Sequence, residues 1–283
     1  MQNTDGRELQ FPYTDLACER RRADTTLRGV EYKKESGIVG SWERIRITSK
    51  EGEESIGRPR GFYNTLRLDR MDTLETEAIE DASDEISREL CFMCDVNDIL
   101  PERVLVVGLG NSELTPDSIG PKAAARVRAT MHIKDFDPKY FEALECSEIA
   151  VIAPGVARVS GIDSAVLLRG VCDAIKPNLV ICIDALASGA VERLGTTVQI
   201  SDTGIFPGSG IGNHRRQISK ETVGVPVISI GIPTVIDSRM FSGQSAPSIT
   251  EPMFVSPKEI NEIVDVGASI VGEGINQAFG LFY

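Results

Sequence analysis

Two aspartates stand where a pair of carboxyl groups could catalyse hydrolysis. Asp117 follows an apolar run at residues 104–107, and Asp184 directly follows another at residues 179–183. Ionising both of two neighbouring carboxyl groups costs free energy because their charges repel, so one of them keeps a proton. The ionised group can take a proton from water as that water attacks a carbonyl carbon, while the protonated group donates to the carbonyl oxygen. The alternative role of each aspartate is to cap the helix that follows it.

Other catalytic chemistries have fewer candidates in this sequence. The chain contains only two histidines, His132 and His214, and no Gly-x-Ser-x-Gly elbow, so a serine or cysteine triad is not favoured. His214 is followed by two arginines, whose charge would repel a metal ion. The turn at residues 108–110 lacks the third glycine of a dinucleotide site, because Glu113 stands there. We therefore expect no bound metal and no cofactor.

Three further charged residues are candidates for supporting roles. Lys122 is expected to be a nearby cation that keeps one aspartate ionised, and its alternative is a surface lysine on a helix. Asp163 and Asp202 are secondary acids, for which a helix cap or a turn is the favoured alternative.

The elements that must position these residues alternate between strands and helices. Short apolar runs bounded by Gly or Pro are typical of strands buried on both faces; they lie at residues 104–107, 149–152, 179–183 and 225–230. Helical patterns occupy residues 119–130, 162–175, 214–223 and 257–279. This alternation predicts an α/β fold with a mainly parallel sheet. Sites in such sheets form at the carboxyl ends of the strands, where Asp117 and Asp184 are expected.

The N-terminal third differs in character from the rest. Residues 16–100 are predicted to be a polar β/α extension, and residues 101–283 to be the core of the same single α/β domain. Within the extension, alternating patterns predict strands at 27–33, 41–48 and 61–68, and helical spacing predicts one long helix over 73–98. Residues 1–26 are expected to be loosely structured.

Charge and composition exclude several classes of protein. The formal net charge is −12, which argues against electrostatic binding to nucleic acid or to an anionic membrane. The sequence has no apolar run of the roughly 18 residues that a membrane span needs. It also lacks the basic-then-apolar start of a signal peptide, and its six cysteines are scattered. We expect a cytoplasmic protein with free thiols.

Several long segments, in order, resemble one known family. They lie at residues 106–122, 151–156, 183–187, 199–213 and 231–235, with looser matches at 14–17, 256–260 and 272–278. Together they are similar to the germination protease of spore-forming bacteria. The resemblance implies an atypical aspartic-type endopeptidase that initiates degradation of small acid-soluble spore proteins. It further implies a zymogen, a homotetramer, a location in the spore interior, and a three-layer fold similar to hydrogenase maturation endopeptidases.

The same resemblance predicts a processing site near the N-terminus. The family's substrates are cut after the first Glu of a motif close to Thr-Glu-Ile-Ala-Ser-Glu, and residues 14–19 (TDLACE) match it in kind at every position. We therefore predict self-cleavage between Asp15 and Leu16, favoured by acid, with residues 1–15 as the propeptide and 16–283 as the peptidase domain. The alternative is that Asp15 caps a helix.

Two rival functions and one departure from the family remain. A metallopeptidase of the hydrogenase-maturation type would use Asp117 and Asp184 with His214 or water. A non-catalytic spore protein would keep the fold and bind the same substrates. Longer family members carry a large insertion after Val235, whereas only residues 236–255 bridge that gap here.

Overall fold

One mixed sheet runs through the part of the chain that the structure describes. The computed structural model describes residues 14–20, 27–208, 216–238 and 253–280. Within them, the strands are β1 Val30–Ser36, β2 Ser41–Ile47, β3 Gly61–Arg67, β4 Arg103–Gly108, β5 Glu148–Ile152, β6 Leu179–Ser188, β7 Thr197–Ser201, β8 Val227–Asp237 and β9 Phe254–Val255. Their order across the sheet is β1-β2-β3-β7-β8-β6-β4-β5, and β9 pairs with β8.

The sheet has a parallel half and an antiparallel half. Strands β8, β6, β4 and β5 pair in parallel, and β4 and β6 are almost wholly buried, as the apolar runs predict. Strands β1, β2 and β3 pair antiparallel and join the core through β7. The three strands predicted for the polar extension therefore form and continue the sheet of the core.

Helices cover both faces of the sheet. They are α1 Ala17–Arg20, α2 Lys50–Ile56, α3 Thr76–Val96, α4 Ile119–Ala124, α5 Met131–Phe136, α6 Pro138–Leu144, α7 Ala157–Ser160, α8 Ser164–Ile175, α9 Lys220–Val223 and α10 Ile260–Ala278. One face packs α3, α4 and α10 against the sheet, and the other packs α1, α8 and α9. The expected three-layer α/β fold is therefore confirmed.

Helix α3 in the N-terminal third packs on the sheet through one apolar stripe. Ala82, Ile86, Leu90 and Met93 recur at helical spacing, and all four are fully buried. They lie in the same hydrophobic cluster as residues of β4, β6 and α10, so burial of one apolar stripe fixes the helix on the sheet.

Helix α4 is shorter than the helical pattern over 119–130 predicts. The Asn276 side chain of α10 accepts the Arg128 N–H at 2.9 Å and donates to the Arg126 carbonyl at 3.1 Å. Because this buried amide supplies hydrogen-bond partners for the backbone of residues 126–128, the helical hydrogen bonds of α4 end early.

None of the helices in the described part of the chain has the length and apolar character that a membrane span requires.

Candidate active site

A tight turn after β4 brings Asp117 back to the sheet. Both the carbonyl and the carboxylate of Asp117 accept the Asn111 N–H, at 2.9 and 3.0 Å. At Gly110 φ is +110°, and an added Cβ would lie 2.0 Å from the Asp117 carbonyl oxygen, so only glycine permits this approach. From β8, the Thr234 hydroxyl donates to the Pro116 carbonyl at 2.6 Å. The turn is therefore anchored to the central strands.

Asp184 lies where β6 extends past the end of β4. Its neighbour Ile183 pairs with Gly108, the last residue of β4. The Asp184 side chain is only 4% exposed and accepts the Ala185 N–H at 3.0 Å. On the same strand, burial raises the pKa of the Cys182 thiol, and the Asp184 charge raises it further. Asp184 is thus a buried polar group near the carboxyl ends of the parallel strands.

The two aspartates lie at the same edge of the sheet. Leu109, which starts the Asp117 turn, donates its N–H to the Ile183 carbonyl at 2.8 Å. The short 3-10 turn Thr115–Asp117 contacts both β6 and β8. The fold therefore places at one edge of the sheet two acids that are 67 positions apart in the chain.

Each of the three supporting candidates has a hydrogen-bond partner in the structure. The Lys122 ammonium donates to Asp265 of α10 at 2.8 Å, so a carboxylate of that helix is one partner of this lysine. Asp163 caps α8 by accepting the Ala165 N–H at 3.0 Å. Asp163 thus has the capping role that the sequence analysis favoured.

Asp202 has a turn-stabilising role at the end of β7. It accepts the Phe62 N–H at 2.7 Å and the Asn97 side-chain amide at 3.0 Å. Burial raises the pKa of its carboxyl group, and these two hydrogen bonds oppose that effect. Asp202 therefore ties β3 and the end of α3 to the end of β7.

The described N-terminal residues are docked, which corrects the expectation of loose structure. Leu16 and Ala17 are fully buried, and Ala17–Arg20 form the short helix α1. Asp15 donates its N–H to the Ala187 carbonyl and accepts the Ala187 N–H through Oδ2, each at 2.9 Å. The segment is ordered because both its apolar and its polar groups find partners at the end of β6. Ala187 lies three residues beyond Asp184.

Two side chains that hold this segment were not singled out from the sequence. Gln199 accepts the Ala17 N–H at 2.8 Å and donates to the Asp15 carbonyl at 3.3 Å. Arg58 donates to the Thr14 carbonyl at 3.1 Å and lies 3.4 Å from the Asp15 carboxylate. Strand β7 has the sequence TVQIS and is buried throughout, so its mixed polar and apolar residues did not mark Gln199 as a contact residue. Arg58 sits in a loop without any pattern.

Metal ligation is the feature that distinguishes the metallopeptidase alternative. Within them, no group of three or more His, Cys, Asp or Glu side chains is placed to hold a metal ion. His214, the third ligand of the metallopeptidase alternative, lies outside the described residues, as do residues 239–252 of the bridging segment after Val235.

The fold and these two acids define an α/β protein with a candidate hydrolytic site at the carboxyl edge of its parallel strands. A family model described as germination protease matches residues 12–250. The chain belongs to the germination protease family, and it is therefore a protease.

Relatives from several bacteria support this membership. The germination protease of Caldanaerobacter subterraneus is 42% identical over 231 residues, covering 80% of this chain and 69% of its own. That of Bacillus subtilis is 40% identical over 233 residues, covering 80% and 63%. That of Clostridium perfringens is 32% identical over 314 aligned positions, covering 94% of each chain. Those positions outnumber the 283 residues here, so that relative has residues without a counterpart in this chain.

One solved structure is similar in part. It is the [NiFe] hydrogenase maturation protease HycI from Thermococcus kodakarensis, which is 21% identical, with a TM-score of 0.36. The match covers 64% of this chain and 99% of that one.

Proposed function

We propose that this protein is the endopeptidase that initiates degradation of small acid-soluble spore proteins during germination. It acts in the spore interior, in the cytoplasmic compartment, as a homotetramer. Membership of the germination protease family, at up to 42% identity among the relatives compared, carries this proposal.

The proposed chemistry uses Asp117 and Asp184 as an acid–base pair without a metal or another cofactor. One carboxylate takes a proton from water while the water oxygen attacks the peptide carbonyl carbon. The other, protonated, carboxyl group donates to the carbonyl oxygen. When the C–N bond breaks, a proton moves to the leaving nitrogen, so that a new carboxyl terminus and a new amino terminus form. Their shared position at the sheet edge supports this pairing.

The first test is cleavage of a purified small acid-soluble spore protein, followed by mass spectrometry, with and without a chelator. We expect cuts after acidic residues at the same rate in both samples, because carboxyl groups alone perform the proton transfers. Loss of cleavage on chelation, restored by a metal ion, would favour the metallopeptidase. Binding of the substrate without any cleavage would favour the non-catalytic alternative.

We also propose that the chain is made as a zymogen that removes residues 1–15 itself. Mild acid incubation is expected to yield a chain that begins at Leu16, because the pair of acids needs one shared proton. N-terminal sequencing checks this result. A chain that keeps its original start while it cleaves substrate, or an Asp117→Asn variant processed as fast as the wild type, would contradict self-processing.

A further inference from the structure

The end of β6 holds residues 14–19 in the manner of a bound peptide. We propose that this groove, formed by the end of β6 with Arg58 and Gln199, is the peptide-recognition site of the protease. In it, Arg58 selects an acidic residue before the cleaved bond, and Gln199 donates a hydrogen bond to the carbonyl of that bond. This inference rests on the proposed proteolytic function. It assigns substrate recognition to residues other than Asp117 and Asp184.

The acidic side chain is held by a charge and by the backbone. The Asp15 carboxylate accepts the Ala187 N–H at 2.9 Å through one oxygen and lies 3.4 Å from Arg58 Nη2 through the other. Both side chains of this ion pair are nearly buried, at 12% exposed for Arg58 and 10% for Asp15. An ion pair shielded from water discriminates against uncharged and basic side chains, since either would leave the guanidinium without a counter-charge.

The space between Asp15 and Arg58 leaves room for a longer acid. A separation of 3.4 Å exceeds the roughly 2.7–2.9 Å of a good charge-assisted hydrogen bond. Arg58 Nε is buried and has no hydrogen-bond partner among the described residues. Beside it lies a cavity of about 30 Å³ bordered by Asp15, Arg58, Tyr63 and Gln199. Because that space admits one more methylene group, glutamate reaches the guanidinium better than aspartate does.

Gln199 holds the backbone on both sides of the predicted cleavage point. Its Oε1 accepts the Ala17 N–H at 2.8 Å, and its Nε2 donates to the Asp15 carbonyl at 3.3 Å. In the sheet, Gln199 pairs with Gly231 of β8, and Gly231 pairs with Asp184 of β6. The residue that polarises the carbonyl and the candidate acid therefore stand in one row across three strands.

Positions after the cleavage point also have defined contacts. The Leu16 side chain is fully buried in a hydrophobic cluster that includes Ile45 and Leu186. The Glu19 carboxylate accepts the Ser188 hydroxyl at 2.6 Å and the Gly189 N–H at 2.7 Å. The groove thus selects an acid, an aliphatic residue and, three positions later, a second acid.

For another protein to enter this groove, the chain's own segment must leave it. The decisive test therefore uses the 15N-labelled full chain carrying Asp117→Asn, which keeps the segment uncut, and measures amide hydrogen exchange of residues 14–20. An excess of a synthetic peptide of residues 12–21 is expected to accelerate that exchange. The glutamate version should compete at least as well as the aspartate version, and the asparagine version about tenfold less well.

Variants of the groove separate recognition from simple structural support. In the Asp117→Asn background, Arg58→Gln should reduce the roughly tenfold acid preference to about onefold, while Arg58→Lys should keep part of it. The exposed Arg60→Gln serves as the matched control and should keep it in full. Gln199→Ala, in the otherwise unchanged chain, should lower kcat for peptide cleavage more than it raises KM, since it removes a donor to the reacting carbonyl.

The outcomes are distinct. Unchanged exchange of residues 14–20 at millimolar peptide would overturn the inference, because the segment would then be a permanent part of the fold. An acid preference that survives Arg58→Gln would overturn the role of Arg58. Peptide exchange with the expected preference, but without cleavage of any spore protein by the wild type, would uphold the groove and refute the proposed protease function.

Discussion

Replacement of either Asp117 or Asp184 with asparagine is expected to abolish cleavage of a spore protein while leaving the fold intact. Asparagine keeps the size of the side chain and an oxygen that accepts the Asn111 or Ala185 N–H, but it cannot move a proton. Loss of general acid–base assistance lowers rates by about 10²–10⁴-fold. Turnover by mass spectrometry and thermal unfolding of each variant provide the two measurements.

A matched control separates this loss from a general effect of removing a carboxylate. Asp137 caps α6 by accepting the Tyr140 N–H at 3.0 Å, and asparagine is an equally good cap. Asp137→Asn should therefore keep both stability and activity. Near-normal turnover in Asp117→Asn or Asp184→Asn, with unchanged stability, would remove that residue from the proposed mechanism.

Gly120→Ala should both destabilise the protein and reduce its activity. A Cβ at Gly120 would lie 2.1 Å from the Leu109 carbonyl oxygen and 2.5 Å from that of Ile183. Both atoms are backbone at the sheet edge, so the start of α4 must shift instead. Overpacking of this kind costs about 1–3 kcal/mol, and a displacement of about 1 Å near Asp117 can lower the rate by about 10²-fold. Chemical denaturation and cleavage assays measure the two effects.

The control for this substitution is Gly170→Ala in the exposed middle of α8. No atom lies within 4 Å of a Cβ added there, and alanine in a helix interior is more stable than glycine by about 0.5–1 kcal/mol. The same change should therefore have opposite signs at the two positions. Equal stabilisation at Gly120 would show that α4 does not pack as closely on β4 and β6 as described.

Much of the fold was accessible from local patterns. The apolar runs ending at Gly108 and Ile183 indicated strands buried on both faces, and both strands lie in the parallel half of the sheet. In such a sheet, the carboxyl ends of the strands share one edge, so the common position of Asp117 and Asp184 followed from the sequence. The long helix α3 followed from its single apolar stripe.

Contacts between residues far apart in the chain could not be predicted from local sequence patterns. The Lys122 ammonium pairs with Asp265, and this partner is set by how α10 packs on α4 rather than by any local pattern. Residues 14–20 carry no strong periodicity, so they were expected to be loose. They are held instead by partners on β6 and β7 that lie more than 160 positions away in the chain.

The strand–helix alternation, the family resemblance and the two acids after the strands could all be recognised in the amino-acid sequence. Each of these depends on residues close together in the chain or on the general geometry of parallel sheets. The contacts of Arg58 and Gln199 with the Asp15–Leu16 segment become visible only in the folded chain. Such contacts depend on strand register and helix packing across the whole sheet, and a single side chain in a loop carries no periodic signal of them.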